Sequence, residues 1–115
     1  MPVFHIRTSA KESASSATLL EALSRELARE LAKPESYVMV SLESEAQLLF
    51  GGSSEPACFA VLKNIGTFTP QHTERLSASL TAHLSKALQV SPSRIYIEFV
   101  DAKAHLWGFD GSTFA

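Results

Sequence analysis

Cysteine is nearly absent from this chain: Cys58 stands alone among 115 residues. One thiol excludes an internal disulfide and any CxxC redox pair, and its plain reading is a small buried hydrophobe. Long apolar runs are missing as well. No stretch approaches the roughly 20 apolar residues that span a bilayer, so no membrane partner is expected. Charge of one sign is also lacking. A net charge of −2 without a basic block removes nucleic acid from the expected partners. Among the four histidines, His72 and His83 are eleven positions apart. That is about 16 Å along a helix axis, too far to chelate one ion, so neither a metal nor another cofactor is expected. The opening residues show no charged segment leading into an apolar one, and a cytoplasmic location is the expectation.

What is present suits one globular domain over residues 1–115, with 45% hydrophobic and 19% charged residues. Such a length supports a core yet gains from oligomerisation. The chain reads as one pattern played twice. A strand over Pro2–Thr8 leads through a polar stretch, Ser9 to Ser16, into a helix striped by Leu20, Leu23, Leu27 and Leu31. Lys33-Pro34 stops that helix, and Tyr37–Leu42 reads as a second strand. The connector Glu43–Pro56 turns at Gly51-Gly52-Ser53-Ser54.

The second copy opens with a strand over Ala57–Ile65. Thr69-Pro70 supplies an N-cap and a first-turn proline, and Leu76, Leu80, Leu84 and Leu88 recur every fourth position. Ser91-Pro92 turns, and Arg94–Val100 is a β-branched and aromatic strand. The tail through Trp107-Gly108-Phe109 reads as a short edge strand and a final turn.

Two β-α-β units predict an α+β fold, with a four-stranded mixed sheet and both helices on one face. Phe4/Ile6, Val38/Val40/Leu42, Phe59/Val61/Ile65 and Ile95/Ile97/Phe99 are expected to face the helices. The opposite alternation carries Val3, Tyr37, Met39, Cys58, Ala60, Leu62, Tyr96 and Val100. A two-layer domain tolerates some exposed apolar residues, but this many favours an oligomer that covers the second face.

The start of the chain carries its own chemistry. Initiator methionine is usually trimmed before a small residue, so a free N-terminal Pro2 is expected. Its secondary amine titrates somewhat above the about 8 of an ordinary α-amino group. Burial penalises the ammonium, and lowering by two or three units, about 1.4 kcal/mol each, would give a general base near neutrality. Proline at position 2 is common, however, and by itself means nothing.

Several local sequences point one way. Pro2 heading a strand, Lys33-Pro34 after a helix, Phe50-Gly51-Gly52-Ser53-Ser54-Glu55-Pro56, Asn64-Ile65-Gly66, Ser91-Pro92-Ser93-Arg94-Ile95-Tyr96-Ile97 and Ser112-Thr113-Phe114-Ala115 resemble the macrophage migration inhibitory factor family and its tautomerase relatives, end to end. The resemblance implies the duplicated fold and a homotrimer whose sheets line an inner barrel. It implies a keto–enol tautomerase of phenylpyruvate-like 2-oxo acids, with small aromatic 2-oxo acids as ligands. Pro2 matches the catalytic proline, and Lys33 the lysine that holds the substrate carboxylate. Ile65 matches the residue whose backbone amide lies in the pocket, Tyr96 the tyrosine from the neighbouring subunit, and Tyr37 and Phe114 the apolar walls. Trp107 and Phe109 would line the same rim. Read without the resemblance, Lys33 is an ordinary partner for a helix dipole and Tyr96 an ordinary strand residue.

The pattern departs from the mammalian cytokine in three places. Glu98 stands where that protein has asparagine; a carboxylate accepts hydrogen bonds but cannot donate. If Glu98 faces the pocket it weakens the binding of acids and raises the Pro2 pKa, so dopachrome turnover is expected to be weak or absent. Ala57 and Ala60 replace the CxxC cysteines, which excludes dithiol exchange. Trp107-Gly108-Phe109 rearranges the rim aromatics. The alternative function is a cytokine-like signalling ligand, secreted without a leader, whose receptor the residues do not identify.

Overall fold

The computed structural model describes residues Met1 to Ala115. Strand β1 (Val3–Thr8) is followed by helix α1 (Ser15–Glu30) and a single 3-10 turn at Glu35–Tyr37. Strands β2 (Met39–Glu43) and β3 (Cys58–Ile65) precede helix α2 (Pro70–Leu88). Strand β4 (Ile95–Ala102) comes next, and the chain ends in a small hairpin of β5 (Gly108–Phe109) and β6 (Ser112–Thr113). The main sheet runs β2-β1-β3-β4, with β1 parallel to β2, β3 parallel to β4 and the central β1–β3 pair antiparallel. This is the mixed four-stranded sheet the repeat predicts.

Both helices stop for local reasons. Thr69 caps α2 by accepting the His72 amide at 3.2 Å, and Pro70 occupies the first turn, where its missing N–H costs nothing. Gln89 closes the helix in the left-handed conformation. At the end of α1, Ala32 takes a φ of 52° without being glycine. Its amide bonds the Arg29 carbonyl at 3.3 Å, and the Lys33 amide bonds the Ala28 carbonyl at 3.0 Å. These are the two bonds of a Schellman turn, and Pro34 forbids further helix.

One core joins the layers. Phe4 and Ile6 of β1, Ala60 and Leu62 of β3, Leu23 and Leu27 of α1, and Leu76, Leu80 and Leu84 of α2 are all fully buried. Full burial of each leucine is worth about 1.5–3 kcal/mol, offset by ordering entropy. On α1 the inner stripe uses Leu19, with Leu20 only half-buried.

The β3 face expected from the sequence is reversed. Register pairs Phe4 with Leu62 and Ile6 with Ala60, so Cys58, Ala60 and Leu62 meet the helices. Phe59, Val61 and Ile65 lie on the open face. Both alternations of Cys58–Leu62 are apolar, so only pairing with β1 decides between them. The open face is left uncovered within one chain: Met39 is 61% exposed, Phe59 42% and Tyr96 62%.

Candidate active site

The amino-terminal edge of the sheet gathers most of the expected site residues. Pro2 is fully buried, and its carbonyl accepts the Met39 amide at 3.0 Å, next to the Val3–Met39 pair of the parallel ladder. The Met1 amino group is held below its ordinary value, first by burial and then by the Lys33 ammonium. Two cationic groups thus share one partly desolvated spot. The Schellman turn fixes the backbone of Lys33, which is half-buried where α1 hands over to the turn before β2.

The aromatic wall is built from the chain's end. Asp110 and Gly111, with φ of 52° and 79°, form the two-residue turn between β5 and β6. Two consecutive positive φ values match the twist of a tight hairpin, which Asp-Gly favours. The hairpin brings Phe109 and Phe114 into a stack with centroids 5.4 Å apart and planes 11° apart. Tyr37 meets both edge-on, at 5.6 Å from Phe109 and 6.2 Å from Phe114. Because Met39 pairs with Val3, Tyr37 lies beside the start of β1.

Trp107 belongs to a neighbouring groove of about 760 Å³ on the open face. Val3, Lys63 and Val100 lie side by side across its floor, with Trp107 and Lys103 at its rim. Lys63 and Lys103 do not stand out in the sequence, because strand register brings Lys63 to this end and the turn after β4 brings Lys103. Ile65 closes β3 at the same end, in register with Ala102.

Tyr96 and Glu98 are not brought to Pro2 within one chain. Tyr96 pairs with Phe59, which pairs with Arg7, whereas Val3 pairs with Lys63, which pairs with Val100. Four positions at about 3.3 Å each separate the two levels by about 13 Å along the strands. Glu98 shares the open face with Tyr96 and pairs with Val61. Any site that uses Pro2 and Tyr96 together takes them from two copies of the chain.

Cys58 has no part in the site. It is buried against the helices, and burial pushes its thiol up to about 12.

With the geometry in hand, comparison with known proteins decides the family. The family model described as macrophage migration inhibitory factor matches residues 1–115. The chain belongs to the macrophage migration inhibitory factor family. It is 38% identical to the macrophage migration inhibitory factor homologue of Trichinella spiralis over 99% of this chain and 100% of that protein. It is also 38% identical to the Brugia malayi homologue, covering 99% of each. Among solved structures, the homologue from Prochlorococcus marinus superposes with a TM-score of 0.95 at 39% identity, covering 98% of this chain and 99% of that one. The family includes members with the tautomerase fold and members with cytokine-like roles. Within it, this chain keeps the two helices over a four-stranded mixed sheet.

Proposed function

We propose that this family member is a cofactor-independent keto–enol tautomerase of phenylpyruvate-like 2-oxo acids, with Pro2 as general base once Met1 is removed. The observation that carries the reading is the amino terminus itself. Its amine is already lowered by burial and by Lys33 at Met1, and Pro2, one residue further in, is fully buried. Moving the free amine to the Pro2 nitrogen increases the desolvation that lowers its pKa.

The step balances without a cofactor. The neutral Pro2 nitrogen takes a proton from the carbon next to the ketone. The C–H electron pair becomes the carbon–carbon double bond, and the carbonyl π pair moves to oxygen. The ammonium then returns the proton to that oxygen, and the reverse sequence regenerates the ketone. Lys33, a compact point charge, holds the substrate carboxylate. Tyr37, Phe109 and Phe114 receive the aromatic ring, with Trp107 at the rim, and exclude water from the amine. The Ile65 backbone amide lies at the edge of the same pocket.

Tyr96 and Glu98 enter from a neighbouring subunit of a homotrimer. The uncovered apolar face of the sheet supports that assembly, since Met39, Phe59 and Tyr96 are all exposed in one chain. Glu98 beside the bound acid accepts but cannot donate hydrogen bonds and weakens acid binding, so dopachrome turnover is weak or absent and phenylpyruvate turnover modest. A cytokine-like role, with non-classical export from the cytoplasm, is the second reading and rests on family membership alone.

Subunit mixing tests the shared site. Pro2→Gly and Tyr96→Ala variants are each impaired alone. When they are unfolded together and refolded, mixed trimers contain interfaces with both wild-type residues, and phenylpyruvate tautomerisation returns. Absence of recovery in mixed trimers of correct mass contradicts a site shared between subunits.

A further inference from the structure

The loop Phe50–Pro56 is tied down far more firmly than a surface connector needs. Phe50 and Ser53 exchange both backbone hydrogen bonds at 3.0 Å around Gly51 and Gly52, whose φ values are 61° and 75°. Two consecutive left-handed positions make this the tight turn that Gly-Gly allows and that any Cβ would strain. Arg94, in the 3-10 turn just before β4, reaches across and donates to four carbonyls of this loop. Its Nε bonds Pro56 at 3.0 Å and its Nη1 bonds Phe50 at 3.1 Å. Its Nη2 bonds Ser53 at 3.1 Å and Glu55 at 3.0 Å.

The same guanidinium covers one side of a ring. The Arg94 Cζ lies 5.1 Å from the centroid of Phe50, and Phe50 lies 4.7 Å from the ring of Tyr96, tilted by 39°. Phe50 therefore contacts both the Arg94 guanidinium and the Tyr96 ring. Tyr96 is the tyrosine that the proposed trimer would present to its neighbour. An exposed tyrosine on a sheet has more than one staggered χ1 open to it, and a fixed ring beneath removes that freedom.

We infer that Arg94 and Phe50 are positioning residues for Tyr96, holding its ring at the orientation the neighbouring subunit's pocket requires. The inference rests on the proposed role of Tyr96 and adds what sets its geometry. A lysine at position 94 cannot do the same, because its ammonium has three donors for four carbonyls and no flat face to lay on the ring. The Phe50–Pro56 stretch thus has a mechanical purpose: it is the seat on which a site residue of the next subunit's pocket rests.

The test combines kinetics with a probe that needs no activity. The chain has only two tyrosines, Tyr37 and Tyr96. Ring-labelled tyrosine therefore gives two NMR signal sets in the intact assembly, assigned with Tyr96→Phe. In Arg94→Lys and Phe50→Leu the Tyr96 signals are expected to lose their ring-current shift while those of Tyr37 stay in place. For phenylpyruvate, kcat/KM is expected to fall about tenfold, a size that a small displacement of a site group produces. The loss appears in KM, and the ascending limb of the pH profile is unmoved. Phe50→Tyr restores both readouts. In a Tyr96→Ala background the Arg94 and Phe50 substitutions change kcat/KM by less than about twofold, since the group they position is gone.

Phe50→Leu leaves every Arg94 hydrogen bond possible, so it decides the matter even if Arg94→Lys fails to fold. Unchanged Tyr96 signals in Phe50→Leu overturn the inference. So does an equal kinetic loss with and without Tyr96. If the wild type fails to turn over phenylpyruvate, the proposed activity falls, and the NMR readout alone still decides whether Tyr96 is seated by Phe50 and Arg94.

Discussion

The Pro2 carbonyl accepts the Met39 amide at 3.0 Å, so the residue proposed as catalytic base is joined to the sheet and does not sit on a loose tail. The same bond brings the start of β2, with Tyr37 just before it, alongside the amino terminus. A base that must meet one particular carbon gains from such a fixed anchor, because positioning supplies much of the acceleration in proton transfer.

In the proposed mechanism Lys33 acts on both the amine and the ligand, and the two effects separate. Its charge lowers the pKa of the neighbouring amine, so Lys33→Ala raises that pKa and moves the ascending limb of the pH–rate profile to higher pH. Losing the carboxylate partner raises KM for phenylpyruvate about tenfold to a hundredfold, the worth of one charged hydrogen bond. Steady-state kinetics across pH checks both. A raised KM with an unmoved limb would leave Lys33 as a substrate anchor only.

Cys58 should be chemically quiet. With its thiol pushed up to about 12 by burial, almost none is thiolate at neutral pH. Iodoacetamide is expected to label the folded protein far more slowly than the protein in denaturant, as read by intact mass. Fast labelling of the folded chain would mean that β3 opens readily.

The two helices are tied by a carboxylate that reports on acid stability. Glu26 of α1, with a side chain 12% exposed, hydrogen-bonds Ser79 of α2 and pairs with Arg29. Its pKa is lowered, first by the Ser79 hydroxyl and further by Arg29 and His83, against the opposing effect of burial. A lowered folded-state value means the contribution is complete above the ordinary 4.5 and is lost as pH falls below it. Glu26→Gln is expected to cost about 1 kcal/mol at neutral pH and to flatten the acid limb of stability in urea titrations.

The fold was largely legible because its signals are strong and local. Leucine recurring at helical spacing, Lys33-Pro34 and Thr69-Pro70 marked both helices, and short apolar runs between turn signals marked the four strands. The face of β3 was not legible, since Cys58, Ala60 and Leu62 are as apolar as Phe59, Val61 and Ile65, and only the antiparallel pairing with β1 selects between them. The single turn at Glu35–Tyr37 is too short to carry a period, which is why Tyr37 read as strand. In the proposed site, Pro2 and Lys33 enter through the resemblance, since neither position stands out by periodicity. The purpose of Phe50 and Arg94, and the place of Lys63, depend on contacts between residues far apart in sequence. Periodicity carries no record of these.

The most direct test is phenylpyruvate tautomerisation by the trimmed protein and by Pro2→Gly, measured from about pH 5 to about pH 9, with intact mass confirming loss of Met1. The account predicts a rate that rises with pH through a midpoint well below the ordinary amine value, and its loss in Pro2→Gly. Equal rates in the two proteins, or a midpoint at the ordinary value, would contradict a desolvated N-terminal proline as the base.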